Sequence, residues 1–588
     1  MMEENTAKKI IDCGSTENRA DSVDYYDPIK DIKNRFTLAN KIGNIVTKKR
    51  IDKATEYFCV GYFIITFILI GYYILFPAKG MYHSDTTDTI MWAQVALESG
   101  SMFDKDFHYA CVTPFGGYIF MLPYVAIFGF GLKAHALGML TFFIAFIAAL
   151  YIMLKKLDCN NNKCCVITAT VVLLISGSTK LREIFWDHII HYSLNIFFAL
   201  IGLSLIFSMI DKIERGDKPR KKYIISAVFL FIWCFFTSLN QSITLLMFIL
   251  PLLCAYVVER LLSNERAKTA YEYYGNLLVP VIIAVASVLG WLVCNGIIDG
   301  YDAWYQNEYS IFSSISDWGG NLFGFYIDWY TLFGVDILGM QEIVTIYGVF
   351  DLLIVAVATV IFVVPIVMLC NYKKFKSRKM RILLLFHFSL FMFIMVLYFV
   401  GRISTVNWRI SPIMFTSVLI TVIGLAQLPK GSQYKSIANL IAVPVAIIAV
   451  FNGTDLMLPH NYGQNSGYFA VAEELENFEQ NYGVKLEYGY ATYWNSLIVS
   501  LINSEEIPIR NINIYTEEYR IYEYQIYDRW FEDQPDVENY FVLVTKDEYE
   551  FMKNDRDEIV HGSKGGQPQV FDICDGQYYV LVYDENIF

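Results

Sequence analysis

The stretch "YFIITFILIGYYILFPAKGMYHSDTTDTIMWAQVALESG", Tyr62 to Gly100, joins an apolar run to a segment that carries two aspartates three residues apart. The run is long enough to cross a bilayer as a helix, and a helix satisfies its own backbone in hydrocarbon. It does not stand alone. Of 588 residues 55% are hydrophobic and 18% are charged, and mean hydropathy is +0.39, outside the range of soluble globular chains. Comparable runs recur near 57–77, 134–154, 193–211, 223–240, 242–260, 277–297, 347–370, 381–400, 409–428 and 436–452, with a shorter one near 164–178. The expected fold is therefore a polytopic α-helical membrane protein of about 11 spans.

Lysine and arginine collect in alternate connections, among them "KKRIDK", "DKIERGDKPRKK" and "NYKKFKSRKMR". Basic loops stay in the cytoplasm, so the N terminus is expected inside and the C terminus outside a plasma membrane. The segment 114–131 is apolar but holds Gly116, Gly117 and Pro123, and a full crossing there would invert every later basic loop. A juxtamembrane or re-entrant piece is expected instead. The organisation is then a cytosolic, mobile 1–56, a multi-span 57–452 with outward loops 79–113 and 298–346, and an extracytoplasmic 453–588.

This last part alternates candidate helices ("AEELENFEQ", "TYWNSLIVSLINS", "KDEYEFM") with candidate strands ("KLEYGYA", "IPIRNINI", "YFVLVT") and a hairpin, "PQVFDICDGQYYVLVYD". It reads as a small α/β domain. With 26 acidic and 8 basic side chains it excludes nucleic acid and anionic lipid as partners.

From Asp85 the residues "DTTDTIMWAQVALES" suit a helix ending at Gly100. At helical spacing Asp85, Asp88 and Trp92 share a face, where two carboxylates beside a ring could meet a polar ligand. Capping explains the same residues. Ser84 or Asp85 is an ordinary N-cap, Asp88 sits near N3 and Gly100 is a normal C-terminal stop.

Four basic residues lie beside the outward face against the usual charge bias: Lys180, Arg182, Arg402 and Arg409. A lipid phosphate would account for them through charge-assisted, forked hydrogen bonds, and snorkelling to headgroups is the alternative for each. Loop 298–346 has no Lys or Arg but interleaves carboxylates with Trp304, Tyr305, Trp318, Trp329 and Tyr330. Carboxylates and flat rings suit a saccharide, although Trp and Tyr also enrich at any membrane interface. In the C-terminal part Tyr490, Tyr493, Trp494 and Asn495 pose the same choice. A divalent cation is a further candidate ligand, with Asp85, His83 and His108 as its possible holders.

An Asp just past the first span, Ala93 eight residues on, "SG" ending at Gly100, then a proline-led segment closing in "IFG" at Gly129 resembles the first extracytoplasmic loop of a known superfamily. This is the GT-C superfamily of polyprenyl-phosphate-dependent glycosyltransferases, in the branch of protein O-mannosyltransferases and lipid A aminoarabinose transferases. "LISGSTKLREIFWDHIIHYSLNIFFAL" is similar to the family's next outward turn, and "VNWRISPI" to the opening of a late span. Thr86 stands where the family usually has Glu, and the family's lysine before a proline pair is missing at Val112–Phe115.

The resemblance implies Asp85 as catalytic aspartate and Asp187 as the acidic residue of the second outward turn. It also implies a lipid-linked sugar donor and an extracytoplasmic glycan, lipid or protein acceptor. On this reading Asp85 takes a proton from the acceptor hydroxyl, which attacks the anomeric carbon with inversion. Basic residues steady the leaving phosphate. Asp88 or Asp187 orients the acceptor, and Trp92, Trp304, Tyr305 and Trp329 contact sugar. Two other classes remain open: a transporter or flippase of lipid-linked saccharide, and a non-catalytic scaffold for the acidic domain. Transporters usually carry ionisable residues near mid-bilayer and two related halves. Here His387 is the main polar residue at that depth.

Overall fold

The computed structural model describes residues 28–588 apart from 215–219, 264–266, 268, 309–310, 340–343, 402–405, 428–434, 459–465, 516–518 and 555–565. The chain forms two compact units, Met1–Phe58 and Cys59–Phe588. In the first, the described residues are helical from Pro28. Everything that follows concerns the second.

Among the described residues nine helices are long and apolar enough to cross a membrane, and a tenth crossing is formed if the bent pair Asn161–Leu174 and Thr179–Asp187 is one span. One of the nine, Lys221–Leu262, is 42 residues long, roughly twice what a bilayer needs. It turns back at Ser238–Gln241, where Gln241 takes φ 52°. Both of its ends lie against the start of the next helix: Tyr223 donates to the Gly275 carbonyl and Tyr256 to Asn276. The stretch is therefore two antiparallel crossings, which makes ten among the described residues, and the expected eleven if the bent pair is one span. The segment 114–131 contains only the short turns Gly117–Phe120 and Leu122–Phe128, too short to cross.

Charged groups hold the helices at one end of the bundle. Glu259, fully buried, takes Arg378 Nε at 2.8 Å and Arg381 Nη2 at 2.8 Å, while Lys379 bridges Asp158 and Asp211. These residues sit in or beside the basic connections of the sequence. At the opposite end stand the aspartate loop and the C-terminal domain. The interior between is apolar, and its one mid-depth imidazole, His387, is hydrogen-bonded to Thr416 at 2.7 Å.

The C-terminal domain is a six-stranded sheet of order β3-β2-β1-β4-β6-β5, with β1 Tyr488–Ala491, β2 Ile509–Asn513, β3 Arg520–Ile521, β4 Tyr540–Thr545, β5 Gln569–Ile573 and β6 Tyr578–Tyr583. β1 is parallel to both β2 and β4, and the other pairings are antiparallel. The helix Tyr493–Ile502 crosses from β1 to β2. Because β4 lies on the other side of β1, the chain changes direction at the carboxyl end of β1, the place where open α/β sheets form a crevice. Tyr493 opens the helix that starts there.

Candidate functional site

Ser84–Thr87 forms one tight turn before the helix Asp88–Ser99, which stops at Gly100 with φ 67°. The cap of that turn is His83, whose backbone N–H donates to Thr86 Oγ1 at 3.1 Å. Neither aspartate is consumed in capping. Asp85, half-buried, accepts from the Tyr493 hydroxyl at 2.7 Å, and Asp88, almost fully buried, lies 3.5 Å from the same oxygen. The two carboxylates thus converge on one phenol, as their spacing allows.

Burial, and then the facing Asp85 charge, push the Asp88 carboxyl well above the usual carboxylate range. Two like charges this close do not both ionise readily, so Asp88 holds its proton to higher pH than an ordinary carboxyl does. The Tyr493 phenol is likewise raised, by burial and by both aspartates, and stays a donor. Gln525 completes the group. It accepts from Trp92 Nε1 at 2.7 Å, which leaves its amide nitrogen beside Asp88.

The C-terminal domain is built into this site by many contacts. Ser84 Oγ donates to the Tyr493 carbonyl, and Gln94 to Glu505 at 2.8 Å. Phe107 and Tyr527 form a β-bridge, His108 pairs with Asp528 at 3.1 Å, and Tyr527 donates to Asp104. From the second outward loop, Trp304 Nε1 donates to the Glu523 carbonyl, and the Tyr305 ring lies 4.5 Å from Tyr524, itself 4.9 Å from Tyr493.

Beside the aspartates lies a cationic group. His83 Nε2 is 3.6 Å from Glu183, which also takes Lys180 and lies 3.7 Å from His188. Burial disfavours the charged His83 imidazole, but Glu183 and then Asp85 outweigh it and raise its pKa. Lys180 stands 4.9 Å over the Trp408 ring. Among the described residues, the buried Nε of the neighbouring Arg409 has no hydrogen-bond partner, and neither do Asn407 Oδ1, His188 Nδ1 and His191 Nδ1. Buried polar atoms left open like this are the exception in folded chains and mark room for a ligand or water. Behind them, within the bundle, a narrow apolar cleft runs between residues of 195–203, Met247, residues of 383–390 and residues of 412–419.

Several sequence expectations are corrected. Trp92 is a core residue bound to Gln525, not a sugar face, and Trp329 is buried with its indole donating to the Ala358 carbonyl. Trp304 and Tyr305 are half-buried at the edge of the site. Tyr490 lies in the sheet interior bonded to Asn586, and Asn495 is buried against Thr492. Trp494, next to Tyr493, is 56% exposed and lies 6.3 Å from the His83 ring. Arg182 is taken up by Asp455 at 2.8 Å. Asp187 is buried 3.5 Å from the Tyr73 hydroxyl and faces Glu183, Arg182 and His83. Arg402 lies outside the described residues. His83 and His108 turn to Glu183 and Asp528, so neither joins Asp85 around one point. No group of three or more His, Cys, Asp or Glu among the described residues is arranged to hold a metal. Gln525 and Tyr524 carry no signal of their own in the sequence, because what singles them out is contact with Trp92 and Tyr305, more than two hundred residues away; Glu183, His188 and His191 gain their place only through the fold that brings His83 and Arg409 to them.

No family model matches the sequence, and no curated protein is significantly similar to it. Solved structures are. ArnT from Cupriavidus metallidurans in its apo state matches at TM-score 0.50 with 12% identity over 88% of this chain and 97% of that one. The same protein bound to undecaprenyl phosphate matches at 0.48 with 11% identity over the same shares. An oligosaccharyltransferase from Archaeoglobus fulgidus in its apo form matches at 0.45 with 12% identity, over 84% of this chain and 70% of that one. The likeness to the apo ArnT structure is one of fold.

Proposed function

We propose that this chain, with its GT-C fold, is an integral-membrane glycosyltransferase that moves a sugar from a polyprenyl-phosphate-linked donor to an extracytoplasmic acceptor. ArnT has been crystallised with undecaprenyl phosphate; the proposal for this chain rests on its own residues. The observation that carries it is the union, at one end of the bundle, of a half-exposed carboxylate with a cationic pocket that has open valences. From His83, which feels the Asp85 charge, contacts lead through Glu183 and Lys180 to Trp408, the neighbour of Arg409 in the chain.

In the proposed reaction the acceptor hydroxyl oxygen forms a bond to the anomeric carbon, and the bond from that carbon to the phosphate oxygen breaks. The hydroxyl proton passes to Asp85, and the leaving polyprenyl phosphate keeps the bonding electron pair. Arg409 and Lys180 receive the phosphate charge, with His191 in reach of its oxygens, where preorganised donors in a water-poor site act strongly. Trp494, Trp304 and Tyr305 are the rings placed to cover a sugar face. With the basic connections in the cytoplasm, the site opens outside.

The test is transfer by the purified full-length protein in vesicles from a panel of radiolabelled polyprenyl-phosphate sugars. The reading predicts label in a new product and release of free polyprenyl phosphate. Label that crosses the bilayer still joined to its lipid, with none consumed, overturns it in favour of transport.

A further inference from the structure

Asp85 belongs to the membrane half of the site, yet its hydrogen-bond partner among the described residues comes from a domain more than four hundred residues away. Tyr493 starts the crossover helix at the carboxyl end of β1, where the sheet order switches. It is fixed there from several sides. Ser84 holds its carbonyl, the Tyr524 ring meets its ring edge-on at 4.9 Å, and Thr492 before it is tied to Glu548 at 2.7 Å and to Asn495 at 3.1 Å. Asp85 itself sits on a single turn of four residues, which gives its side chain little support.

A phenol donates one hydrogen bond. At 2.7 Å to Asp85 Oδ1 and 3.5 Å to Asp88 Oδ1, that bond goes to Asp85, at the short length expected when the acceptor is charged. Among the described residues nothing is bonded to the other oxygen, Oδ2, which leaves it for an incoming hydroxyl.

Building on the proposed role of Asp85 as the base, we propose that Tyr493 is its positioning residue. The C-terminal domain supplies the hydroxyl that fixes the Asp85 carboxylate so that Oδ2 faces the acceptor. The domain is then a working part of the catalytic centre, and a reaction-ready carboxylate exists only while the domain is docked. Asp88 backs the pair from inside, buried and 3.5 Å from the same hydroxyl.

The experiment compares wild type, Tyr493→Phe, Asp85→Asn and Tyr519→Phe as full-length proteins, with kcat, KM for donor and acceptor, and the thermal midpoint measured for each. Tyr519 shares a hydrogen bond of 2.9 Å with Tyr583 in the domain's second core and controls for the loss of a buried phenol alone. The proposal expects Tyr493→Phe to lower kcat by about 10- to 100-fold with both KM values within about twofold, as misplacement of a reacting group does. It expects Tyr519→Phe to match wild type and Asp85→Asn to be inactive. Wild-type kcat in Tyr493→Phe beside an inactive Asp85→Asn overturns the proposal and leaves the base in place. Equal losses in Tyr493→Phe and Tyr519→Phe overturn it too, as a structural effect. Full activity in Asp85→Asn removes the base and the proposal with it.

Discussion

Arg182 presents a choice between two jobs, and its surroundings decide which. The guanidinium is 3% exposed, and Nη1 lies 2.8 Å from Asp455 Oδ2, on the helix Lys435–Asp455. Opposite charges about 4 Å apart attract by about 4 kcal/mol at the effective dielectric of about 20 that suits such sites. Desolvation consumes much of this, so the pair adds little over an apolar replacement, while loss of one partner strands a buried charge at about 3–5 kcal/mol. A double-mutant cycle with Arg182→Met and Asp455→Asn reads this directly by denaturant titration in mixed micelles. Asp455→Asn should cost about 3 kcal/mol or more, and the double variant should recover most of that. Donor KM should stay within about twofold in Arg182→Met. A tenfold rise in donor KM with little change in stability would refute the reasoning and make Arg182 a phosphate ligand after all.

The raised pKa of Asp88 sets a pH dependence of known sign. The folded state holds a proton that the unfolded chain loses above the ordinary carboxylate pKa, so this group's contribution to stability falls as pH rises through that window. Asp88→Asn removes the effect, and its thermal midpoint relative to wild type should climb between about pH 5 and 8; a difference that does not change with pH contradicts the assignment. At Gly117 a Cβ would stand 2.1 Å from the Ile189 carbonyl oxygen, with backbone on both sides of the contact. Gly117→Ala should therefore lower stability by about 1–3 kcal/mol, whereas the same change at Gly61, where nothing lies within 4 Å, should be close to neutral; equal midpoints for the two would count against the close approach.

What the sequence conveyed followed from periodicity and length. Apolar runs announced the spans, including the two crossings inside Lys221–Leu262, because a helix in lipid must be apolar along one whole bilayer thickness. β1, β2, β4 and the β5–β6 hairpin were visible as β-branched and aromatic runs, while β3, two residues long, gave no pattern to read. The convergence of Asp85 and Asp88 followed from a spacing of three. Their shared partner could not: Tyr493 is 408 residues from Asp85, and nothing local distinguishes it from the Tyr490 that packs inside the sheet. Trp92 and Trp329 were read as sugar faces because composition does not tell which way a ring points. For Arg182 the sequence offers a lipid phosphate or snorkelling to headgroups, and the counter-charge that the fold adds, Asp455, comes from 273 residues further on.

The measurement closest to the central claim is the initial rate of sugar transfer at saturating donor by purified wild type and Asp85→Asn, with equal thermal midpoints as the control for folding. Asn keeps the shape of the side chain and its bond from Tyr493 but cannot take a proton. The account predicts a loss of about 100-fold or more, the usual worth of a general base. A variant that transfers sugar at the wild-type rate would contradict it.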